Sequence, residues 1–224
     1  MTDPSPNISS YRYANSELNH SHGYLLPTVL RLLDGLNLPA GERRLFELGC
    51  GNGSVAQALT QCGWDVTGVD PSLEGIAQAQ RAHPDLKLRP GSAYDDLAAH
   101  YGQFPVVLSL EVVEHVYFPR AYAATVFSLL RRGGTAILST PYHGYWKNLA
   151  LALSGKMDQH FTALWDHGHI KFWSMKTLAE LLREAGFTDI HFHRVGRIPP
   201  LAKAMIAVAR RLGPVASCAD SRLR

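Results

Sequence analysis

Leu45-Phe46-Glu47-Leu48-Gly49-Cys50-Gly51-Asn52-Gly53 carries a short apolar strand directly into glycines at alternate positions, and residues 54–62 then read as a helix. Glycine allows a sharp turn and lacks the Cβ that would hold a ligand away from the backbone, so the stretch reads as a nucleotide-type loop. Strand, glycine turn and helix make the first unit of an α/β wind. The dinucleotide fingerprint needs glycine at its first, third and sixth positions, and counting from Gly49 the sixth is Ser54. That departure argues against an NAD-dependent oxidoreductase.

The same rhythm extends on both sides of the loop. Before it, Leu25, Leu26, Val29, Leu30, Leu32, Leu33 and Leu36 recur at helical spacing, which predicts an opening helix that covers the pocket. After it come a strand at 65–70, a helix at 73–83, a weak strand at 86–89, a strand at 106–110, a helix at 121–130 and a strand at 135–140. All-apolar central strands such as Val106-Val107-Leu108 imply a parallel sheet covered on both faces. Residues 141–171 break the pattern with His, Tyr and Trp and a short helix at 146–153, and read as a substrate-covering insertion. A helix at 175–185, stopped by Gly186, then leads to a terminal pair of strands at 188–195 and 202–209.

A chain of 224 residues, 46% apolar and 18% charged, suits one compact domain at 23–211, between a flexible segment at 1–22 and a flexible tail at 212–224. Cys50, Cys62 and Cys218 form neither a metal spacing nor a paired framework, and no apolar run resembles a signal peptide or a membrane span; a cytoplasmic protein is expected. A net charge of +3 is too weak a field to predict nucleic-acid binding.

Asp70 ends the second strand, where a carboxylate can accept hydrogen bonds from both hydroxyls of a ribose. With this acid in place, residues 45–53 and 66–71 resemble the first two motifs of the class I S-adenosylmethionine-dependent methyltransferases, and the similarity covers residues 23–211. The resemblance implies a Rossmann-like, doubly wound seven-stranded sheet, mostly parallel with an antiparallel last strand. It further implies a crevice between strands one and four, S-adenosylmethionine as cofactor, and Glu47, Gly49, Gly51 and Gly53 around its methionyl part. Asp70 is then placed on the ribose, Ser92 and Ala93 near the adenine, and Leu110 beside the cofactor.

After the fourth strand comes Ser109-Leu110-Glu111-Val112-Val113-Glu114-His115-Val116. A helical turn starting at Glu111 would put Glu111, Glu114 and His115 on one face, looking into the crevice. Crowded carboxylates raise each other's pKa unless a cation or proton lies between them, so the cluster reads either as a hard-metal site or as one general base among packing groups. The segment resembles that of ubiquinone-biosynthesis O-methyltransferases and of small-RNA 3′-terminal ribose methyltransferases, in which it holds a divalent ion such as Mg²⁺. In the second group a further His precedes a Trp by four positions; His169 precedes Trp173 in that way, and makes a fourth candidate ligand with His167 as its alternative. Without metal, His115, with Glu114 beside it, is the candidate catalytic base.

The function expected is methyl transfer to the oxygen of a small phenolic, quinol-like or vicinal-hydroxyl acceptor; the alternatives are an S-adenosylmethionine-binding protein without catalysis and, weighed down by the glycine spacing, an NAD enzyme. RNA is disfavoured as a partner because Arg194, Arg197, Lys203, Arg210 and Arg211 look scattered, while these residues with Trp146, Leu149 and Leu153 would favour loose contact with a membrane carrying a lipid acceptor. Tyr142, Tyr145, Trp146 and Trp165 either stack on a flat substrate or pack on one another. His83, His100, His191 and His193 are assigned to helix ends and outer strand faces, and His20 and His22 carry little weight.

Overall fold

The computed structural model describes residues 15–166 and 168–213. His167, Cys218 and the tail from residue 214 onward lie outside the described residues.

Seven strands form one sheet: β1 (Arg44–Leu48), β2 (Asp65–Asp70), β3 (Lys87–Pro90), β4 (Phe104–Leu110), β5 (Leu130–Pro141), β6 (Thr188–Val195) and β7 (Ala204–Arg210). Their order is β3-β2-β1-β4-β5-β7-β6. Only β7 runs against the rest, since it pairs antiparallel with both β5 and β6. The expected mostly parallel sheet with an antiparallel last strand is therefore the observed one.

Helices cover both faces, as apolar strands require. On one face lie α1 (His22–Gly35), α2 (Ser54–Gln61) and α3 (Leu73–Ala82). On the other lie α4 (Leu97–Tyr101), α5 (Pro119–Leu129) and, last in the chain, α8 (Met175–Glu184). Between β5 and α8 the interrupted rhythm at 141–171 corresponds to the short α6 (Tyr145–Leu153) and α7 (Met157–Phe161), which bury no residue.

Side chains of a strand alternate between faces, and the two cores show it. Phe46, Val107, Met205 and Ala207 join α5 and α8, whereas Leu45, Val106, Leu108 and Ile206 join α1, α2 and α3. The chain winds outward from β1 to β3 and then returns to place β4 beside β1. That reversal leaves a crevice at the carboxyl ends of β1 and β4, where open α/β sheets bind their ligands.

Candidate active site

The glycine loop leaves β1 and is pinned to the end of β2, for Gly49 and Cys50 both donate to the Val69 carbonyl, at 2.8 and 3.1 Å. Gly49, Gly51 and Gly53 have φ of 85°, 52° and 75°, a left-handed conformation that favours glycine. A Cβ at Gly49 would sit 2.4 Å from Val112 Cγ2, and one at Gly53 would sit 2.8 Å from the Cβ of Ala79. At these two positions glycine is thus demanded by backbone conformation and by protein packing, in addition to any ligand. Asn52 is buried and clamps the loop: Nδ2 donates to the carbonyls of Asn15 at 2.7 Å and Glu17 at 3.2 Å, and Oδ1 accepts from the Ser54 hydroxyl at 2.8 Å.

Asp70 receives the Gly51 amide on one oxygen at 2.9 Å and the Ser72 amide on the other at 2.8 Å. Burial raises its pKa and these two bonds oppose the rise. Glu47 is also buried, with Oε2 lacking a partner among the described residues, and burial followed by the nearby Asp70 charge pushes its pKa well up. Ser92 and Ala93 follow β3 on the same edge, with the Ser92 amide held by Asp95 at 2.7 Å, and Leu110 closes β4 at 8% exposure.

Beyond β4 the structure corrects the expected helical turn. Glu111 adopts φ of 56° because its amide still extends the sheet, donating to the Ser139 carbonyl at 3.1 Å, and the chain must then bend abruptly. Its Oε1 accepts from the Ser139 hydroxyl at 2.8 Å, and burial raises its pKa to about 7. The group whose ligand atoms all lie within 4.8 Å of one another is Glu114, His115 and His169, without Glu111. The four candidate ligands are therefore split into a tight trio and a neighbouring carboxylate.

His169 reaches the trio because the segment carrying it docks on the turn after β4. The Glu114 carbonyl accepts from the amides of Ile170 at 2.9 Å and Lys171 at 3.0 Å, and the Trp173 indole donates to the Val113 carbonyl at 3.1 Å. The four-residue spacing of His169 and Trp173 is the spacing of this clamp. Glu114 is only 1% exposed, and neither carboxylate oxygen meets hydrogen-bond geometry with the described residues; His169 Nε2 stands 4.0 Å from Oε1. Burial and then the Glu111 charge drive the Glu114 pKa well up. His169 is held neutral, its pKa lowered to about 4 by burial and by His115. His115 Nδ1 lies 3.2 Å from the Gly168 carbonyl; donation along that contact presents Nε2 as the acceptor nitrogen.

Next to the trio opens a cavity of about 470 Å³, bounded by Glu111, His169, His143, His160, Lys147 and Tyr24 among others. The Tyr24 phenol, from α1, is pushed up to about 12 by burial and by the charges of Glu111 and Glu114. The opening helix thus contributes Tyr24 to the cavity lining.

A methyltransferase-domain model matches residues 18–192. The chain belongs to the methyltransferase-domain family. The chain is 34% identical over 159 residues to the ubiquinone biosynthesis O-methyltransferase of Cereibacter sphaeroides, covering 68% of the chain and 63% of that relative. It is 30% identical over 176 residues to the enzyme of the same name from Thiobacillus denitrificans, covering 77% and 75%. The chain thus spans less than two thirds of the Cereibacter relative's length, and 59% of a third relative, from Psychrobacter arcticus. Among solved structures, the methyltransferase domain of a bacterial Hen1, CtHen1-CN, superposes with a TM-score of 0.62 at 20% identity, covering 83% of this chain and 96% of that one. An S-adenosylmethionine dependent methyltransferase from Mesorhizobium loti gives 0.58 at 19% identity, covering 82% and 96%. These two likenesses concern the fold.

Most of the cavity wall was not legible in the sequence. Tyr142 is buried and packs against the backbone at Gly144, while Tyr145 and Trp146 are 72% and 63% exposed and stand outside the cavity lining; Trp165 makes edge contacts with His115 and His169 instead. His143 and Lys147, which follow β5 by two and six residues, line the cavity in their place. Their signal was position: a residue just past the carboxyl end of a central strand faces the crevice.

Proposed function

We propose that the chain transfers the methyl group of S-adenosylmethionine to a hydroxyl oxygen of a vicinal diol or phenol, with a divalent cation at Glu114, His115 and His169. The observation that carries this reading is Glu114, a carboxylate buried at the switch-point crevice, eased by Thr140 but with neither oxygen in full hydrogen-bond geometry among the described residues, and with two imidazoles whose nitrogens lie within 4.8 Å of it and of each other. Buried charge persists only when paired or bound to a cation.

The residues fit the cofactor as well. Glu47 and Asp70 are two buried carboxylates that raise the cost of each other's charge, and a ligand bringing a sulfonium and an ammonium would relieve it. Each Asp70 oxygen spends one lone pair on a backbone amide and keeps another for a ribose hydroxyl.

A bound Mg²⁺ or Mn²⁺ would lower the pKa of a chelated hydroxyl and orient its oxygen toward the methyl. The protein's own part is to bind, align and exclude water. Neutral His169 offers a lone pair, His115 brings a second imidazole, Glu114 offers negative charge, and Glu111, with a pKa near neutrality, takes up the hydroxyl proton as the oxygen accepts the methyl. The names of the relatives, ubiquinone biosynthesis O-methyltransferases, support oxygen as the acceptor atom.

The test is a calorimetric titration of Mn²⁺ into protein saturated with S-adenosylhomocysteine, parent against Glu114→Gln. Uptake by the parent and its loss in the variant are expected. No uptake by either protein would overturn the metal part and leave His115 as the base for a non-chelating acceptor.

A further inference from the structure

The acceptor cavity is charged in a way that the trio does not use. Its lining carries Lys147, Arg197 and Lys203, with the imidazoles of His143 and His160, and Glu111 is the one carboxylate in the lining among the described residues. The Lys147 ammonium donates to the Tyr142 carbonyl at 2.8 Å and makes a longer contact with the Lys203 carbonyl at 3.4 Å. An ammonium has three N–H groups, so at least one remains for the cavity. His143 is 9% exposed and its Nδ1 has no partner among the described residues.

These cations gather where gathering is unfavourable. Lys147 lies half-buried, and burial together with Arg197 lowers its pKa to about 8 against the opposing charge of Glu111. An anion placed between Lys147 and Arg197 would remove the repulsion, restore the full ammonium charge and receive charge-assisted hydrogen bonds. Glu111 attracts Lys147, but one of its oxygens is committed to the Ser139 hydroxyl and it is a single carboxylate facing the three cations of this lining. Glu111, His169 and the three cations line one cavity, so a single small molecule would meet them together.

We propose that the methyl acceptor carries an anionic group, a carboxylate or a phosphate monoester, bound by Lys147 and Arg197 while its hydroxyl points toward Glu114. The assignment rests on the reading of the site as a methyltransferase acceptor pocket and narrows its substrate class. Lys203 adds to the field from beneath Tyr24, where its ammonium lies 5.3 Å from the ring centre.

Benzoate, phenyl phosphate and the neutral isostere benzamide, titrated into the full chain, test it without any methyl donor. Benzoate or phenyl phosphate is expected to bind about tenfold or more tightly than benzamide. The tighter of the two anions identifies the group. Arg197 is exposed, so Arg197→Gln leaves the fold intact; this variant and Lys147→Met are expected to bring the anions down toward benzamide, and Arg197→Glu to abolish the preference. Equal affinity for all three probes, or a preference unchanged in both Arg197 variants, would overturn the proposal. S-adenosylhomocysteine titrated separately reads the cofactor pocket, so its failure to bind would strike the methyl-transfer reading and is distinct from a cavity that ignores charge.

Discussion

At the residue scale, the site is built from groups held where isolated chemistry would not place them. Glycine at Gly49 meets a left-handed φ and a 2.4 Å approach to Val112 at once. Gly49→Ala is expected to cost about 2 to 4 kcal/mol in urea unfolding, and adding Val112→Ala to recover the steric part alone. His22 offers a check on burial. Its pKa falls from 6.5 to about 4 because burial disfavours the imidazolium, so between those values the unfolded chain binds a proton that the folded chain does not. Stability from this group therefore grows as pH rises from about 4 to 6.5 and is lost as pH falls; the parent should gain stability relative to His22→Gln between pH 4.5 and 6.5, and parallel curves would contradict the assignment. The glycines, Glu47, Asp70 and Glu114 were legible in the sequence because they sit next to strand ends. Lys147 and His143 were not, since their part depends on which way an irregular segment folds over the crevice.

At the element scale, irregular segments are tied to the sheet by a few hydrogen bonds, and those bonds set the site. Trp173 to Val113, with the two amides on the Glu114 carbonyl, brings His169 against the turn after β4. Trp173→Phe keeps the ring and removes the donor; about 1 kcal/mol of stability and about tenfold in Mn²⁺ affinity are expected to go, read by unfolding and by calorimetry. Unchanged metal affinity would show that His169 is placed by other means. The helical turn anticipated at Glu111 fails for a related reason. Strand pairing with Ser139 runs one residue further than apolar patterning shows, and that long-range bond outweighs the local i, i+3, i+4 spacing. The His169 and Trp173 spacing, by contrast, survived translation into structure because a single clamp explains both residues.

At the scale of the whole molecule, the sheet order with β4 returned beside β1 puts the glycine loop, the Glu114, His115 and His169 trio and the cavity on one edge. Alternation of strand and helix, the apolar run Val106-Val107-Leu108 in β4 and the break after β5 made that topology readable from the chain alone. Charge was not readable in the same way. A net charge of +3 hides the convergence of Lys147, Arg197 and Lys203 from α6 and the stretch around β7 onto one wall. Among the described residues no helix is long and apolar enough to cross a membrane.

The most direct measurement is transfer of a labelled methyl from S-adenosylmethionine to a panel of catechols and other vicinal diols with Mn²⁺ present, analysed by mass spectrometry, for the parent, Asp70→Asn and Glu114→Gln. An O-methylated product from the parent, with at least about a hundredfold loss in each variant, is the predicted result. S-adenosylhomocysteine binding by the parent with no product from any hydroxyl acceptor would contradict it, and would leave a protein that holds the cofactor without using it.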